Sequence, residues 1–296
     1  MHLRAILTLA FAAAALADDR LEPILNRVSE EAEVFQQQAT SVVGRETLHH
    51  RGRKTGSRFR IGKAALDAPK FSYLQREIVS EYGFSTFQEA PEALREFRQV
   101  ISVDGRGVLK ADQARLALAA GMSSEDDRLR KRMLQDFERY GTIGAATDFG
   151  QMLLLFRRRG LAGYEFEISG PGRMGAEEVI VIRYRQKESP DAFRVYHGRE
   201  MTRVNMSGEL WVRASDYIPL RVTMQATLPE DGIPVIHSST TDYLRSSHGL
   251  MLPAAVHYKK MAEGQIIVEN RYQYSQYQMF KVEAEIKFIA EDTPQP

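Results

Sequence analysis

The run Pro219-Leu220-Arg221-Val222-Thr223-Met224-Gln225-Ala226-Thr227-Leu228 alternates apolar and polar side chains. A period of two sends Leu220, Val222, Met224, Ala226 and Leu228 to one face and Arg221, Thr223, Gln225 and Thr227 to the other, which predicts a strand buried on one side and wet on the other. Such a strand needs antiparallel neighbours, and the flanking sequence supplies them. Pro229-Glu230-Asp231-Gly232, Ser247-His248-Gly249 and Ala262-Glu263-Gly264 punctuate further β-rich runs as hairpin turns do. Strands are expected at Tyr164 to Ile168, Glu178 to Gln186, Phe193 to His197, Gly208 to Arg213, Pro219 to Leu228, Pro234 to Leu244, Pro253 to Met261, Gln265 to Tyr274 and Met279 to Ile289. Hairpins in such succession imply a strongly curved antiparallel sheet, an unclosed β-barrel.

Towards the N-terminus, Phe71 to Tyr82 and Phe97 to Val103 read as two more strands, the second closed by the turn Asp104-Gly105. Between Ser123 and Arg159 the pattern turns helical. Ser124 with Asp127 resembles a capping box, and Leu129, Met133, Leu134 and Phe137 keep helical spacing. Gly141 and Gly144 end that helix; Thr147 or Asp148 then caps a short second one holding Met152 to Phe156 and closing at Arg157-Arg158-Arg159-Gly160. Further upstream, Leu21, Leu25, Val28, Ala32, Phe35, Ala39 and Val42 form one stripe of a long first helix that Asp18 or Asp19 caps, with Pro23 in its first turn and an end between Gly44 and His50. The fold class is therefore α+β, with the long N-terminal helix and the two-helix insertion packed on one side of the sheet.

Met1 to Arg4 begin the chain with a positive charge, Ala5 to Leu16 are apolar apart from Thr8, and Ala15-Leu16-Ala17 places small residues before a cut after Ala17. Residues 1–17 are expected to be a cleaved signal peptide, residues 18–290 a single domain and residues 291–296 a flexible tail. The apolar stretch of about a dozen residues falls short of the roughly 20 that a transmembrane anchor needs. The expected location is periplasmic or secreted.

Hydrophobic residues make up 43% and charged residues 27% of the chain, enough apolar side chain for a substantial core. Removing the leader takes away Arg4 and no acid, which leaves bases and acids equal. Nothing in that balance calls for nucleic acid as a partner. One local excess stands out: Arg51, Arg53, Lys54, Arg58, Arg60 and Lys63 occur with no acid among them, a solvated loop or a contact for anionic headgroups. The absence of cysteine excludes a disulfide, a thiol nucleophile and a cysteine zinc site.

No motif names a reaction. Gly170, Gly172 and Gly175 match a dinucleotide fingerprint, but a strand rather than a helix follows, so they read as a hairpin loop. His49, His50, His197, His237, His248 and His257 show no metal-ligand spacing. Ser238 and Ser239 follow His237 without a nucleophile elbow, and Glu283 with Glu285 reads as a solvated strand pair. No catalytic residue, cofactor or metal is expected. More suggestive are the aromatic side chains spread through the meander, which form either ordinary core or the lining of an apolar ligand cavity.

An exported chain with a long first helix and with strands carrying Gly208-Glu209-Leu210-Trp211-Val212-Arg213, a turn and Ile218-Pro219-Leu220-Arg221-Val222 resembles the periplasmic lipoprotein-carrier superfamily of LolA-like carriers, LppX-like lipid carriers and RseB-type regulators. It also resembles exported proteins of soil bacteria with no assigned activity, through segments such as Thr147-Asp148-Phe149-Gly150-Gln151 and Ala284-Glu285-Ile286-Lys287-Phe288. The resemblance implies an unclosed barrel with a helical lid over an apolar cavity that binds acyl chains, and an envelope protein partner that receives the cargo. On that basis the chain is expected to bind a lipid or acylated ligand without covalent chemistry, with Trp211, Tyr184, Tyr258 and Tyr272 lining the cavity. The alternative is an envelope interaction or stress-sensing module with no cavity; a hydrolase of unknown substrate ranks third.

Overall fold

The computed structural model describes residues 3–54, 72–140, 142, 148–187, 194–197, 200–203 and 206–279. The basic segment beyond Lys54, Phe71, Gly141, Gly144, Thr147, Phe193, the strand expected over Met279 to Ile289 past its first residue, the Glu283 and Glu285 pair and the tail 291–296 lie outside the described residues. The class is α+β. Strands β1 (Val42–Arg53), β2 (Tyr73–Phe87), β3 (Ala90–Val103), β4 (Arg106–Gly107), β5 (Tyr164–Met174), β6 (Glu177–Gln186), β9 (Met206–Arg213), β10 (Pro219–Glu230), β11 (Ile233–Arg245), β12 (Met251–Ala262) and β13 (Gln265–Met279) share one eleven-stranded antiparallel ladder. Its order ends at β4 and at β5, so the ladder is open. The strands β7 (Arg194–His197) and β8 (Glu200–Arg203) form a separate hairpin.

The chain divides into two compact units. The first comprises Met1–Gln37 and Gly150–Pro253. Its strands run in the order β11-β10-β9-β6-β5; in β10 Leu220, Val222, Ala226 and Leu228 are buried as expected, Met224 of the same face is half-buried, and the polar partners are not buried. Helix α1 (Leu3–Gln38) belongs mainly to this unit. Its buried stripe is Ile24, Val28, Ala32 and Phe35, with Ile24 in the place expected of Leu25. That phase is shared by a buried carboxylate, Glu31, which Arg245 of β11 reaches at 3.0 Å. Pro23 lies inside the helix rather than in its first turn, because the alanine-rich run before Asp18 is itself helical.

The expected second insertion helix is a 3₁₀ turn, Met152–Phe156. Met152, Leu153 and Phe156 are all buried, and the Tyr243 hydroxyl accepts from the Leu153 amide at 2.8 Å and donates to the Gly150 carbonyl at 3.0 Å. The expected hairpin loop at Gly170 is also displaced. Gly170 and Gly172 lie within β5, Gly170 at a register shift with φ +132°, and only Gly175 sits in the turn.

The second unit comprises Gln38–Phe149 and Ala254–Pro296. Its strands follow the order β4-β3-β2-β1-β13-β12. Here the first helix stops at Gln38, well before the expected Gly44 to His50, and β1 begins at Val42. Pairing on both sides wins over helical periodicity, since β1 is hydrogen-bonded to β2 and to β13 along nearly its whole length. The helices α2 (Ala111–Ser123) and α3 (Asp127–Glu138) cover one sheet face, where Leu118, Met122 and Met133 pack on Val43 and Phe97. The capping expected of Ser124 and Asp127 is corrected: Asp126 caps α3 by accepting from the Arg128 amide at 2.9 Å, while Asp127 accepts from the Gln88 amide. Asp148, expected to cap the following helix, instead accepts from the Glu96 amide at 3.0 Å and from Arg95 at 2.9 Å.

Candidate functional site

The sheet face of the second unit that carries Glu46, Tyr82 and Arg98 holds the least ordinary chemistry in the described residues. Register brings Glu46 of β1 between Ser80 of β2 and Tyr274 of β13, and sets Tyr82 of β2 opposite Arg98 of β3. Arg98 is long enough to cross over β2. Its Nε donates to Glu46 Oε1 and its Nη2 to Glu46 Oε2, both at 2.7 Å, and Nη2 also donates to Glu96 Oε2 at 2.6 Å. All three side chains are essentially inaccessible. Aromatic rings surround the guanidinium: its carbon lies 5.3 Å from the centroid of Tyr82, 5.4 Å from Phe137 and 5.7 Å from Tyr272. Delocalised, weakly hydrated guanidinium tolerates such a cage better than an ammonium would.

Two carboxylates face one cation, so one proton tends to stay. Burial pushes the Glu96 carboxyl up to about 7, with Arg98 pulling the other way and Asp148 and Glu46 adding to the rise. Burial opposes the charge on Arg98, but Glu46 and Glu96 hold it more firmly protonated than usual. The phenols of Tyr82, Tyr272 and Tyr274 are raised by burial above their ordinary range. Two hydroxyls on this face, Ser80 Oγ and Tyr82 Oη, are buried with no hydrogen-bond partner. Nothing in the cluster is a nucleophile set beside a base. Its chemistry is that of holding charge, a proton or a polar group inside an aromatic surround.

The four aromatic residues expected to line a cavity fall in different settings. Tyr258 is buried on β12 and stacks on Phe149 with centroids 4.8 Å apart. Tyr272 is buried on β13, stacks on Tyr274 and accepts from Asn270 Nδ2 at 3.2 Å. In the first unit, Tyr184 is buried against Phe156, and its hydroxyl donates to the Thr223 carbonyl at 2.6 Å. Gly208, opposite Tyr184 in register, makes this possible; a Cβ there would collide with the Thr223 carbonyl and the tyrosine hydroxyl. Trp211 is half-buried on the other face of β9, its indole N–H donating to Glu209 Oε2 at 3.0 Å and Arg221 lying 5.4 Å from its ring. A polar cleft of ≈ 710 Å³ on the first unit is lined by Tyr184 together with Glu165, Arg183, Glu209 and Thr240.

Glu46, Glu96 and Arg98 were not legible in the sequence. A strand that alternates polar residues inward looks like a solvated loop, and the only trace is the Glu96-Phe97-Arg98 alternation at the start of an expected strand. The histidines pair individually, His50 with Asn270 at 2.7 Å, His237 with Glu230 at 3.0 Å and His257 with Glu269 at 2.9 Å. Among the described residues no three His, Asp or Glu converge as metal ligands. Ser239 Oγ is buried without a hydrogen-bond partner among the described residues. No helix of the described residues is long and apolar enough to cross a membrane.

No family model matches the chain. None of the curated proteins matches it either. Among solved structures, it is similar to a LolA superfamily protein from Nitrosomonas europaea, with 11% identity, 86% of this chain and 92% of that chain covered, and a TM-score of 0.35. It is also similar to a DUF1329 family protein from Desulfovibrio piger, with 10% identity, 87% and 93% covered, and a TM-score of 0.34. The first carries the superfamily name that the sequence resemblance gave.

Proposed function

We propose that the chain is an exported, non-enzymatic protein that binds a lipid or acylated ligand for transport in the cell envelope. The observation behind this reading is the sheet face of the second unit, where the buried side chains of Tyr82, Phe84, Tyr258, Tyr272 and Tyr274 accompany one buried charged cluster. An amphiphile needs such a division, with apolar area for its chain and a confined polar centre for its head. Tyr258 and Tyr272 are the proposed chain contacts there; Tyr184 and Trp211 are proposed contacts on the first unit. The leader at residues 1–17 supports export, and an envelope protein that takes over the ligand belongs to the same reading.

The test is native mass spectrometry of the protein purified from its own periplasm, followed by denaturing extraction of bound lipid. A stoichiometric acyl-chain ligand is expected. An apo mass with no uptake of added fatty acid or phospholipid would turn the reading to the interaction and sensing module. One observation favours that second reading: Tyr258 and Tyr272 are each only 1% exposed, packed as core residues are.

A further inference from the structure

The second unit holds a separate polar cleft of ≈ 520 Å³, built where β1, β2 and β13 adjoin the turn after β3. Three arginines line it, Arg51, Arg76 and Arg271, together with the carboxylates Glu77, Asp104 and Glu269. Two of those carboxylates are already engaged. Asp104 accepts from the Glu77 amide at 2.9 Å and pairs with Arg76. Glu269 accepts from His257 at 2.9 Å and from Arg271 at 2.7 Å. Although burial resists it, these partners keep the Glu269 carboxyl below its ordinary range, so it stays an acceptor committed to the protein. Glu77 is half exposed, with His49 3.7 Å away.

The donors are less well served. Arg51 Nε and Arg76 Nε are both shielded from solvent and have no hydrogen-bond partner among the described residues. Arg51 reaches Glu269 only at 3.8 Å. It is nevertheless held in place: the Tyr73 ring lies 4.0 Å from its guanidinium carbon, and the Tyr73 hydroxyl is tied to the Ile266 carbonyl at 3.1 Å. The side chains of Arg51 and Arg271 are otherwise 41% and 63% exposed, open to the oxygens of a ligand in the cleft. Guanidinium groups fixed in orientation around one cleft match the several oxygens of a phosphate better than a single carboxylate.

We propose that this cleft binds a phosphate group, drawn either from a phospholipid head or from free phosphate. The full-length protein would be titrated calorimetrically with inorganic phosphate and co-sedimented with phosphatidylcholine vesicles containing one third phosphatidylglycerol. Saturable binding is expected in at least one arm, and the R51Q/R76Q double variant should weaken it by about tenfold or more, the loss of a charge-assisted hydrogen bond. Binding to the vesicles alone identifies the lipid head as the source; binding of inorganic phosphate identifies the free anion. No binding in either arm, or binding unchanged in the variant, would overturn the proposal. Circular dichroism checks that the variant folds. If it does not, Arg271→Gln, on a side chain 63% exposed, is read by the same criteria.

Discussion

Arg98 is the residue on which the second unit's interior turns. With its guanidinium removed, Glu46 and Glu96 would remain buried without a cation, a situation that typically costs roughly 3–5 kcal/mol. Arg98→Met is therefore expected to lower stability by that order in urea unfolding, although methionine is the more apolar side chain. Glu96 predicts a pH dependence whose sign is opposite to the usual carboxylate case. Its folded pKa of about 7 lies above the ordinary carboxyl value, so between the two the folded state keeps a proton that the unfolded state has released. The stabilisation is fully present below the ordinary value and is lost as pH rises through about 7, by something on the order of 3 kcal/mol. Glu96→Gln mimics the protonated form, and its urea midpoints across that window should lose this slope. An unchanged slope would assign the dependence to other groups.

At the scale of elements, β1 and β9 show how a strand can be hidden or exposed in its own sequence. The inward positions of β1 are Val42, Gly44, Glu46, Leu48, His50 and Gly52, a series with two apolar side chains, and it reads as the end of a helix followed by a basic loop. The buried charge cluster is what removed the hydrophobic alternation; the departure from pattern and the candidate site share a cause. In β9 the pattern is intact, with Leu210 and Val212 inward, but Gly208 marks a close approach that composition alone does not announce. Gly208→Ala is expected to destabilise by on the order of 3 kcal/mol, through overpacking against the Thr223 carbonyl and loss of the Tyr184 hydrogen bond, measurable by urea unfolding. A near-neutral result would mean that the strand gives way there. Helix α2 was missed although Ala114, Leu118 and Met122 repeat every four residues, because its alanines gave a weak apolar stripe beside the strands around it.

For the molecule as a whole, export can be tested separately from binding: N-terminal sequencing of periplasmic protein should begin at Asp18, and an intact Met1 would remove the leader from the argument. What the sequence by itself determined is local. It fixed the α+β class, the half-buried strands from β9 to β13, and the turns at Asp104-Gly105, Asp231-Gly232 and Glu263-Gly264, where both residues adopt positive φ as a tight hairpin requires. Those features depend on side-chain period and backbone preference within a few residues. What the tertiary structure decided is non-local: that β1 pairs with β13, joining His50 to Asn270 across 220 residues of chain, and that Glu46, Glu96 and Arg98 meet out of water. A charged residue in a sequence is read as solvated because burying it alone is prohibitive. Only the partner supplied by a distant strand makes its burial tolerable, and no local pattern carries that partner's position.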